Sequence, residues 1–363
     1  MFQQPLPVEI IRLTPDETAA RIAQARAKLG NELLILGHHY QRDEIIRWAD
    51  VRGDSLKLSQ IAGQHPEAKT IIFCGVHFMA ESADILTTDE QAVILPNMNA
   101  GCSMADMANI GQVEDCWSDL AEATDVSRIT PITYVNSTAA IKAFVGRHGG
   151  ACCTSSNARR IVAWALDRGD KLLFFPDQHL GRNTAVALGL DPERDMLLWD
   201  PNKPFGGNTP EQVRAARVIL WKGHCSVHAR FTVEEIAKAR AEYPGVQVIV
   251  HPECSLEVVR AADFNGSTEH IINTISAAPP GTTWAVGTEI NLVSRLAQEM
   301  PDKKIFCLDP VVCPCSTMYR IHPHFLLWTM ESLLDGKIVN QVKVKPEIAN
   351  EARLALNRML EIS

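Results

Sequence analysis

The sequence lacks several features that would place a chain of this size in a common functional class. It has no apolar run of about 18 residues, the length that marks a membrane-spanning helix, so no membrane span is expected. Its 35 basic residues are outnumbered by 43 acidic ones. The net charge of −8 excludes nucleic acid as a main partner, because a phosphate backbone requires a basic surface. Neither a Gly-x-x-x-x-Gly-Lys loop nor a Gly-x-Gly-x-x-Gly fingerprint occurs, so nucleotide binding has no support.

The first residues show neither the charged segment nor the apolar segment of a secretory signal, and we therefore expect a cytoplasmic protein. In that compartment the ten cysteines are expected to be reduced thiols and possible metal ligands. Several of them, including Cys74, Cys152 and Cys153, lie in apolar strand-like runs. For these the simplest interpretation is a small buried hydrophobic side chain.

The sequence does contain a repeated pattern, in which a short apolar strand runs into a small or polar turn that opens a helix. Clear examples are the apolar runs at 33–36, 70–73, 132–135, 172–175 and 246–250. Apolar strands that alternate with amphipathic helices predict an α/β protein with parallel sheets. The polar turns then follow the carboxyl ends of strands, where open α/β sheets bind ligands, although any one Ser, Thr or Asn there can simply cap a helix.

The repeated units fall into three groups, and each group closes with cysteine on a loop: Cys102, Cys225, and the pair Cys313 and Cys315. We infer an internal triplication, in which pseudo-threefold packing of three α/β units brings three cysteines to one axis. The predicted domains are residues 1–115 with an N-terminal helix, residues 116–230, and residues 231–363 with C-terminal helices. A loop at 200–208 is interpreted as an insertion in the second domain.

Three thiolates from three units would form a metal site with an open fourth position. Closed structural zinc sites usually show short Cys-x-x-Cys pairs, whereas these cysteines are dispersed, which favours a catalytic metal. Ligation by thiolates alone suits an iron–sulfur cluster or a soft metal. A 4Fe–4S cluster on three cysteines leaves one iron free to act as a Lewis acid. The alternative is that these are structural cysteines, buried like the others.

Four side chains at strand ends are candidates for acid–base chemistry: His38, Tyr40, His251 and Glu253. Pro252 fixes its own φ and restricts the residue before it, so His251 and Glu253 are expected to be held rigidly. Such groups can move protons in a tautomerisation or a dehydration. A strand-end histidine can equally be a structural one that bonds to the backbone.

A second set of strand-end residues consists of neutral hydrogen-bond donors. Its members are Asn136, Ser137, Ser155, Ser267 and Thr268. At helix N-termini such side chains suit the carboxylate or phosphate oxygens of a small substrate.

Twelve short motifs together resemble the quinolinate synthase family, the iron–sulfur enzymes of de novo NAD biosynthesis. They follow one another in unbroken order over residues 33–340, and this order makes the resemblance specific. The motifs are GHHYQ (37–41), GDS (53–55), GVHFMAESA (75–83), AGCS (100–103), YVNS (134–137), TSSNA (154–158), PDQHLG (176–181), GHCSVH (223–228), HPE (251–253), GST (266–268), GTE (287–289) and CSTM (315–318).

The resemblance implies a particular fold and reaction. The expected fold is three similar αβα-sandwich domains with parallel sheets, related by pseudo-threefold symmetry, with the active site at their junction. The expected reaction condenses iminoaspartate with dihydroxyacetone phosphate and releases phosphate and two waters as the pyridine ring of quinolinate closes. A transient contact with aspartate oxidase, as the source of iminoaspartate, is a further possibility.

The resemblance also implies roles for single residues. Cys102, Cys225 and Cys315 match the ligands of a 4Fe–4S cluster, and Cys315 is preferred to Cys313 because its spacing to Met318 matches the family. Tyr40 and Glu253 match groups that transfer protons. The matching substrate-binding positions, with His228 expected near the cluster, are His38, Ser55, Tyr134, Asn136, Ser155, His228, His251, Glu253, Ser267 and Thr268.

Two other functions are consistent with a cysteine site on this fold. One is a sensor that binds zinc or an iron–sulfur cluster without turnover. The other is a hydro-lyase of the same cluster type that acts on a different small acid. The sequence also departs from some members of the family, because no lysine occurs between Ser267 and Gln298 to contact a phosphate.

Overall fold

The computed structural model describes residues 3–311 and 314–362, and it confirms an α/β protein with parallel sheets. Val312 and Cys313 lie outside the described residues. The strands, in chain order, are β1 (Leu33–His38), β2 (Val51–Gly53), β3 (Thr70–Cys74), β4 (Ala92–Ile94), β5 (Ile129–Tyr134), β6 (Ala151–Cys153), β7 (Lys171–Phe175), β8 (Met196–Trp199), β9 (Val218–Trp221), β10 (Gln247–Val250), β11 (Phe264–Asn265), β12 (Thr283–Gly287), β13 (Lys304–Cys307) and β14 (Gln341–Val342).

Helices connect nearly all of these strands. They are α1 (Val8–Ile11), α2 (Pro15–Leu29), α3 (Asp43–Ile46), α4 (Ser55–Ala62), α5 (His77–Leu86), α6 (Ile110–Ala123), α7 (Ala139–Arg147), α8 (Ala158–Arg168), α9 (Gln178–Ala187), α10 (Pro210–Ala215), α11 (Val233–Glu242), α12 (Leu256–Ala261), α13 (Thr268–Ala277), α14 (Ile290–Glu299), α15 (Pro323–Leu334) and α16 (Pro346–Ile362). Among the described residues, no helix is long and apolar enough to cross a membrane.

The chain divides into two compact units. The first comprises Met1–Cys102 and Cys313–Lys345, and the second Ser103–Val312 and Pro346–Ser363. The first unit contains one five-stranded sheet in the order β14-β4-β3-β1-β2, in which only the edge strand β14 runs antiparallel to its neighbour. The sequence domains 1–115, 116–230 and 231–363, their pseudo-threefold symmetry and a site at their junction stay predictions.

The second unit contains two all-parallel sheets. One has the order β6-β5-β7-β9-β8, and the other has the order β11-β10-β12-β13. Their central strands are buried along almost their whole length, as expected when helices cover both faces of a sheet. Because all the strands of a sheet point the same way, the residues that follow them gather at one edge.

Local signals in the sequence set many of these boundaries. The Thr14 hydroxyl accepts the amide hydrogen of Glu17, whose carboxylate accepts that of Thr14 in return, so α2 begins with a capping box. Gly30 ends the helix at φ 57°, in the left-handed region that favours glycine. Helix α3 is short and ends at Ile46.

The loop at 200–208 is folded compactly against the strand that precedes it. Asn208 donates to the carbonyl oxygens of Leu198 and Gly206, each at 3.0 Å, and Lys222 pairs with Asp200 at 2.9 Å. The ring of Phe205 lies 5.8 Å from the ring of Trp199. The loop is therefore an ordered cover for the edge strand β8.

The last helix, α16, belongs to the second unit and packs against α7 with the two helix backbones in close contact. A Cβ at Gly146 of α7 would lie 1.9 Å from the carbonyl oxygen of Glu351. Arg358 of α16 donates to the carbonyl oxygen of Gly150 at 2.6 Å. The buried face of α16 is formed by Ala349, Ala352, Ala355, Leu356 and Met359.

Candidate active site

Glu253 is the centre of a buried hydrogen-bond network in the second unit. Strand β10 ends at Val250, and the turn that follows carries His251, Pro252 and Glu253. Both oxygens of the Glu253 carboxylate accept hydrogen bonds. Oε1 accepts from the hydroxyl of Tyr134 at 2.6 Å, and Oε2 lies 2.8 Å from Nδ1 of His228.

The second histidine of the site, His251, is held as one neutral tautomer. Its Nδ1 accepts the amide hydrogen of Glu253 at 3.3 Å, so the ring proton is on Nε2. That nitrogen lies 3.2 Å from the hydroxyl oxygen of Ser155 and donates to it. The ring stacks on the ring of His228 with centroids 4.4 Å apart and planes 19° apart. Ser155 thus accepts from the protein and keeps its own hydrogen for a ligand.

Burial and neighbouring charge set the protonation states of these groups. Burial lowers the pKa of His251 to about 3, so its ring is neutral near pH 7. Burial by itself raises the pKa of Glu253, but His228 and the hydrogen bonds from His228 and Tyr134 outweigh it. The pKa of Glu253 therefore lies below its usual range, and the group is an ionised acceptor.

Two residues of α9 and the turn before it lie behind Glu253. Asn183 donates from its side-chain nitrogen to the carbonyl oxygens of Pro252 and Cys254, each at 2.8 Å, which clamps the turn on both sides of Glu253. Asp177 is completely buried. Burial, with the neighbouring charge of Glu253, raises the pKa of Asp177 well above its usual value.

The loop that carries Cys225 is fixed by close backbone contacts. Gly223 pairs with Asp177 in an isolated parallel bridge, and a Cβ at Gly223 would lie 2.2 Å from the carbonyl oxygen of Pro176. The indole nitrogen of Trp221 donates to the carbonyl oxygen of Met107 at 2.7 Å. This tight approach requires glycine two residues before the cysteine and leaves the cysteine half-buried.

Cys225, His228 and Glu253 form a group with the composition of a metal site. One ligand atom from each lies within 4.8 Å of the other two. His228 and Glu253 are almost completely buried, with exposed fractions of 1% and 3%. The other ring nitrogen of His228, Nε2, lies 3.1 Å from the hydroxyl of Thr288, which follows strand β12.

The neutral donors predicted from the sequence lie in the same unit. Ser267 caps α13 by accepting the amide hydrogen of His270 at 3.3 Å, and Thr268 is the buried first residue of that helix. Ser155 and Ser267 line a cleft of about 460 Å³, together with Asn183 and Pro252 of the Glu253 turn. This volume is in the range of small-molecule sites.

Asn136 and Ser137 follow strand β5. The side-chain oxygen of Asn136 is buried and has no hydrogen-bond partner among the described residues, an arrangement that a ligand donor would satisfy. Ser137 is committed to the fold, because it donates to the carbonyl oxygen of Tyr134 and accepts from Thr133.

Three predicted site residues lie in the first unit, at the ends of neighbouring strands. His38 ends β1 opposite Gly53 of β2, and Ser55 is the first residue of α4. The amide of Tyr40 donates to Nδ1 of His38 at 3.2 Å, and the two rings pack edge to face with centroids 4.8 Å apart. His38 is buried and Tyr40 is half-buried.

Cys102 and Cys315 are half-buried residues of this same unit. The side-chain amide of Asn97, just before the Cys102 loop, donates to the carbonyl oxygen of Arg320, just after the Cys315 segment, at 3.0 Å. The Cys315 thiol lies 3.4 Å from the hydroxyl of Thr317. Helix α15 begins only at Pro323, after a short 3₁₀ helix, so Cys315 is not at its N-terminus.

The sequence patterns found most of the groups around Glu253 but missed three. Thr288 follows β12 within the motif at 287–289, so the rule that ligands lie at strand ends could have identified it. Asp177 also follows a strand. Asn183 lies inside α9, and nothing in the sequence distinguishes it from a surface helical residue.

Comparison with known proteins identifies the family of the chain. The family model described as "Quinolinate synthetase A protein" matches residues 20–361. The chain belongs to this family. Its described residues place the family motifs at 134–137, 154–158, 223–228, 251–253 and 287–289 around the carboxylate of Glu253.

Curated relatives of the family cover almost the whole chain. The quinolinate synthase of Corynebacterium glutamicum is 59% identical over 360 residues, which are 99% of this chain and 91% of the relative. That of Herpetosiphon aurantiacus is 57% identical over 354 residues, 97% of this chain and 94% of the relative. That of Geobacillus kaustophilus is 57% identical over 350 residues, 96% and 94% respectively.

Proposed function

We propose that this chain is a quinolinate synthase that condenses iminoaspartate with dihydroxyacetone phosphate. The products are quinolinate, one phosphate and two waters, which together balance the atoms of the two substrates. The observation that carries the proposal is the buried carboxylate of Glu253, held by Tyr134 and His228 at the edge where strands β5, β10 and β12 end. Membership of the family and the identity of about 55–59% to curated quinolinate synthases support it.

Glu253 is ionised, because its pKa lies below the usual range, and its carboxylate is therefore in the form that can accept a proton, although the lowered pKa also makes it a weaker base. The reaction requires protons to be removed from carbon and nitrogen and delivered to departing hydroxyl groups. The hydroxyl of Tyr134, 2.6 Å from Glu253, offers a path by which a proton returns. We assign proton transfer to Glu253 and Tyr40, with His38 beside Tyr40 in the first unit.

Substrate binding is assigned mainly to neutral donors and acceptors, which can hold the oxygens of anionic groups by hydrogen bonds. Ser155, Asn136 and His251 offer hydroxyl, amide and imidazole groups to the substrate. Ser267 and Thr268 stand at the N-terminus of α13, where backbone amides favour a phosphate. The remaining substrate-binding assignments are His38, Ser55, Tyr134, His228 and Glu253.

The cleft lined by Ser155 and Ser267 is also lined by a positively charged side chain. Arg159, on the first turn of α8, and His270, on the first turn of α13, both line it and are exposed. Helix α13 has no lysine, so Arg159 is the group that can neutralise a phosphate dianion there. We propose that the phosphate of dihydroxyacetone phosphate lies in this cleft.

The exposure of the thiols fits a cluster on Cys102, Cys225 and Cys315. Each of the three is half-buried, whereas burial raises the pKa of the Cys74 and Cys152 thiols to about 12. Burial of this kind disfavours the thiolate, which is the form that binds metal. The open iron of a 4Fe–4S cluster supplies Lewis acidity toward a substrate hydroxyl or carbonyl.

Two further expectations accompany this function and stay predictions. A transient contact with aspartate oxidase would deliver iminoaspartate, and the chain would act in the cytoplasm. Neither follows from the contacts of the described residues.

The test is anaerobic reconstitution of the full chain with iron and sulfide, followed by iron counting and a quinolinate assay. Wild type should bind about four irons and turn over. Cys102→Ala, Cys225→Ala and Cys315→Ala should lose both properties, while Cys313→Ala should keep both. A wild-type chain that gains a full cluster and forms no quinolinate would overturn the proposal.

A further inference from the structure

The group formed by Cys225, His228 and Glu253 offers nitrogen and oxygen ligands that an iron–sulfur cluster on three cysteines would not need. It combines one sulfur, one nitrogen and one oxygen ligand atom, and thiolate, imidazole and carboxylate are the groups that bind zinc in proteins. We propose that the cluster-free chain binds one Zn²⁺ at Cys225, His228 and Glu253, and that this ion and the cluster exclude each other.

The distances support a site that needs only a small closure. The ligand atoms lie within 4.8 Å of one another. In a tetrahedral zinc site, with bonds of about 2.0–2.3 Å, neighbouring ligand atoms are about 3.4–3.6 Å apart. His228 Nδ1 and Glu253 Oε2 are hydrogen-bonded at 2.8 Å. A metal ion that replaces the proton between these two atoms would move them apart only slightly.

The surroundings of the three ligands are those of a metal site. Ligand histidines and carboxylates usually have a second hydrogen-bond partner that fixes their orientation. When Nδ1 binds the ion, His228 has such a partner, because Nε2 lies 3.1 Å from the hydroxyl of Thr288. The second oxygen of Glu253 accepts from Tyr134 at 2.6 Å. The half-buried thiol of Cys225 provides access for the ion.

The exclusion follows from the shared ligand and rests on the proposed function. Cys225 is one of the three cluster ligands proposed above, and a thiolate bound to zinc is not available to iron. Glu253 would be occupied as well, so the zinc form would lack both the cluster and the acceptor of the substrate proton. Zinc would therefore act on this chain before the cluster is assembled.

The first experiment titrates the reduced, cluster-free full chain with Co²⁺, a spectroscopic probe of zinc sites, and then displaces it with Zn²⁺. Wild type should bind one Co²⁺ with a thiolate-to-cobalt charge-transfer band and the strong visible bands of four-coordinate cobalt. Cys225→Ala should lose the charge-transfer band. His228→Ala and Glu253→Gln should weaken binding by at least about 10-fold, and Thr288→Val, which keeps all three ligands, by about 10-fold.

Cys102→Ala and Cys315→Ala are the matched controls, since they remove proposed cluster ligands that lie outside the zinc site. Both should bind Co²⁺ as wild type does. Loss of binding in these two variants, or unchanged binding in His228→Ala, would show a site made of cysteines alone and overturn the proposal. Thermal melts of each variant identify those that fail to fold, and Thr288→Val then carries the test.

The second experiment adds iron and sulfide to the chain with and without one equivalent of Zn²⁺. Zinc should block iron uptake in wild type but not in His228→Ala, which keeps the proposed cluster ligands. Iron uptake by zinc-loaded wild type would overturn the exclusion. A chain that takes up no iron even without zinc would instead contradict the proposed function, while the cobalt titration would still decide the zinc site.

Discussion

The side-chain nitrogen of Asn183 lies 2.8 Å from the carbonyl oxygen of Pro252, the residue directly before Glu253. The same nitrogen donates to the carbonyl oxygen of Cys254 at 2.8 Å, directly after it. One buried amide on α9 therefore fixes the backbone on both sides of the carboxylate. The position of Glu253 depends on this clamp as much as on its own hydrogen bonds.

Replacing Asn183 by Ala should therefore damage both stability and turnover. Two buried carbonyl groups would lose their donor, at a cost of about 1–3 kcal/mol each. We expect the urea midpoint to fall and kcat to fall by about 10-fold or more. Asn208→Ala is the matched control, because Asn208 also donates to two carbonyl oxygens, at 3.0 Å, in the loop at 200–208. It should lower the midpoint less and leave kcat unchanged; equal loss of kcat in both variants would contradict the clamp.

The carboxylate itself can be tested with Glu253→Gln, which preserves size and removes the proton acceptor. We expect kcat to fall by about 100-fold or more, since general-base catalysis contributes about 10²–10⁴-fold. KM should change less, and circular dichroism should show an intact fold. Glu257→Gln, four positions along on α12, should keep wild-type kcat. A Gln variant at 253 with more than a tenth of wild-type turnover would remove Glu253 from the proton path.

Substitutions of two glycines near proposed cluster ligands should have different effects on iron binding. A Cβ at Gly223 would lie 2.2 Å from the carbonyl oxygen of Pro176, whereas a Cβ at Gly101 would meet nothing within 4 Å. Gly223→Ala must therefore shift the loop that carries Cys225, and we expect it to lose most of the iron bound after reconstitution. Gly101→Ala, directly before Cys102, should bind as much iron as wild type. Equal amounts of bound iron in the two variants would show that the close contact at Gly223 is not needed to position Cys225.

The proposed phosphate cleft predicts a charge effect at one of two adjacent arginines. Arg159 lines the cleft, and its exposed neighbour Arg160 does not. Arg159→Ala should raise KM for dihydroxyacetone phosphate by about 2- to 5-fold, as expected for an exposed charge pair. The difference should shrink as salt is added. Arg160→Ala should leave KM unchanged, and a rise of the same size there would indicate a general charge effect.

The first unit should be sensitive to acid through the cap of α15. Nδ1 of His322 accepts the amide hydrogen of His324 at 3.3 Å, and this requires a neutral ring. Burial, with the nearby charges of Arg42 and His324, lowers the pKa of His322 to about 4 from the usual 6.5. Between these values the unfolded chain binds the proton and the folded chain does not, so stability falls as pH decreases.

A variant can keep this cap and remove its titration. Asn is a good N-cap and has no proton to gain, so His322→Asn should flatten the fall in Tm between about pH 6.5 and 4. The measurement is Tm by circular dichroism at half-unit intervals. An unchanged slope would mean that other groups cause the acid loss.

Much of this fold and site could be predicted because the relevant signals are local. The capping box at Thr14 and the strand ends at His38 and His251 are specified by residues within a few positions of each other. The spacing of apolar residues along the chain and the polarity of the turns predict such short-range structure well.

Contacts between distant residues could not be predicted in this way. The hydrogen bond from Tyr134 to Glu253 joins residues 119 positions apart, and it depends on how two sheets pack. The role of Asn183 depends on which face of α9 meets the Glu253 turn.

The close contact between Gly146 and Glu351 has a consequence for synthesis on the ribosome. Most of the second unit, residues 103–312, is synthesised after residues 1–102. Residues 313–345 of the other unit follow, and only afterwards the helix Pro346–Ile362 that covers α7. While residues 313–345 are being made, the backbone groove at Gly146 has no partner and its apolar lining is open to chaperones. The second unit therefore cannot complete its packing until its last helix has been synthesised, and the timing of translation affects how this enzyme folds.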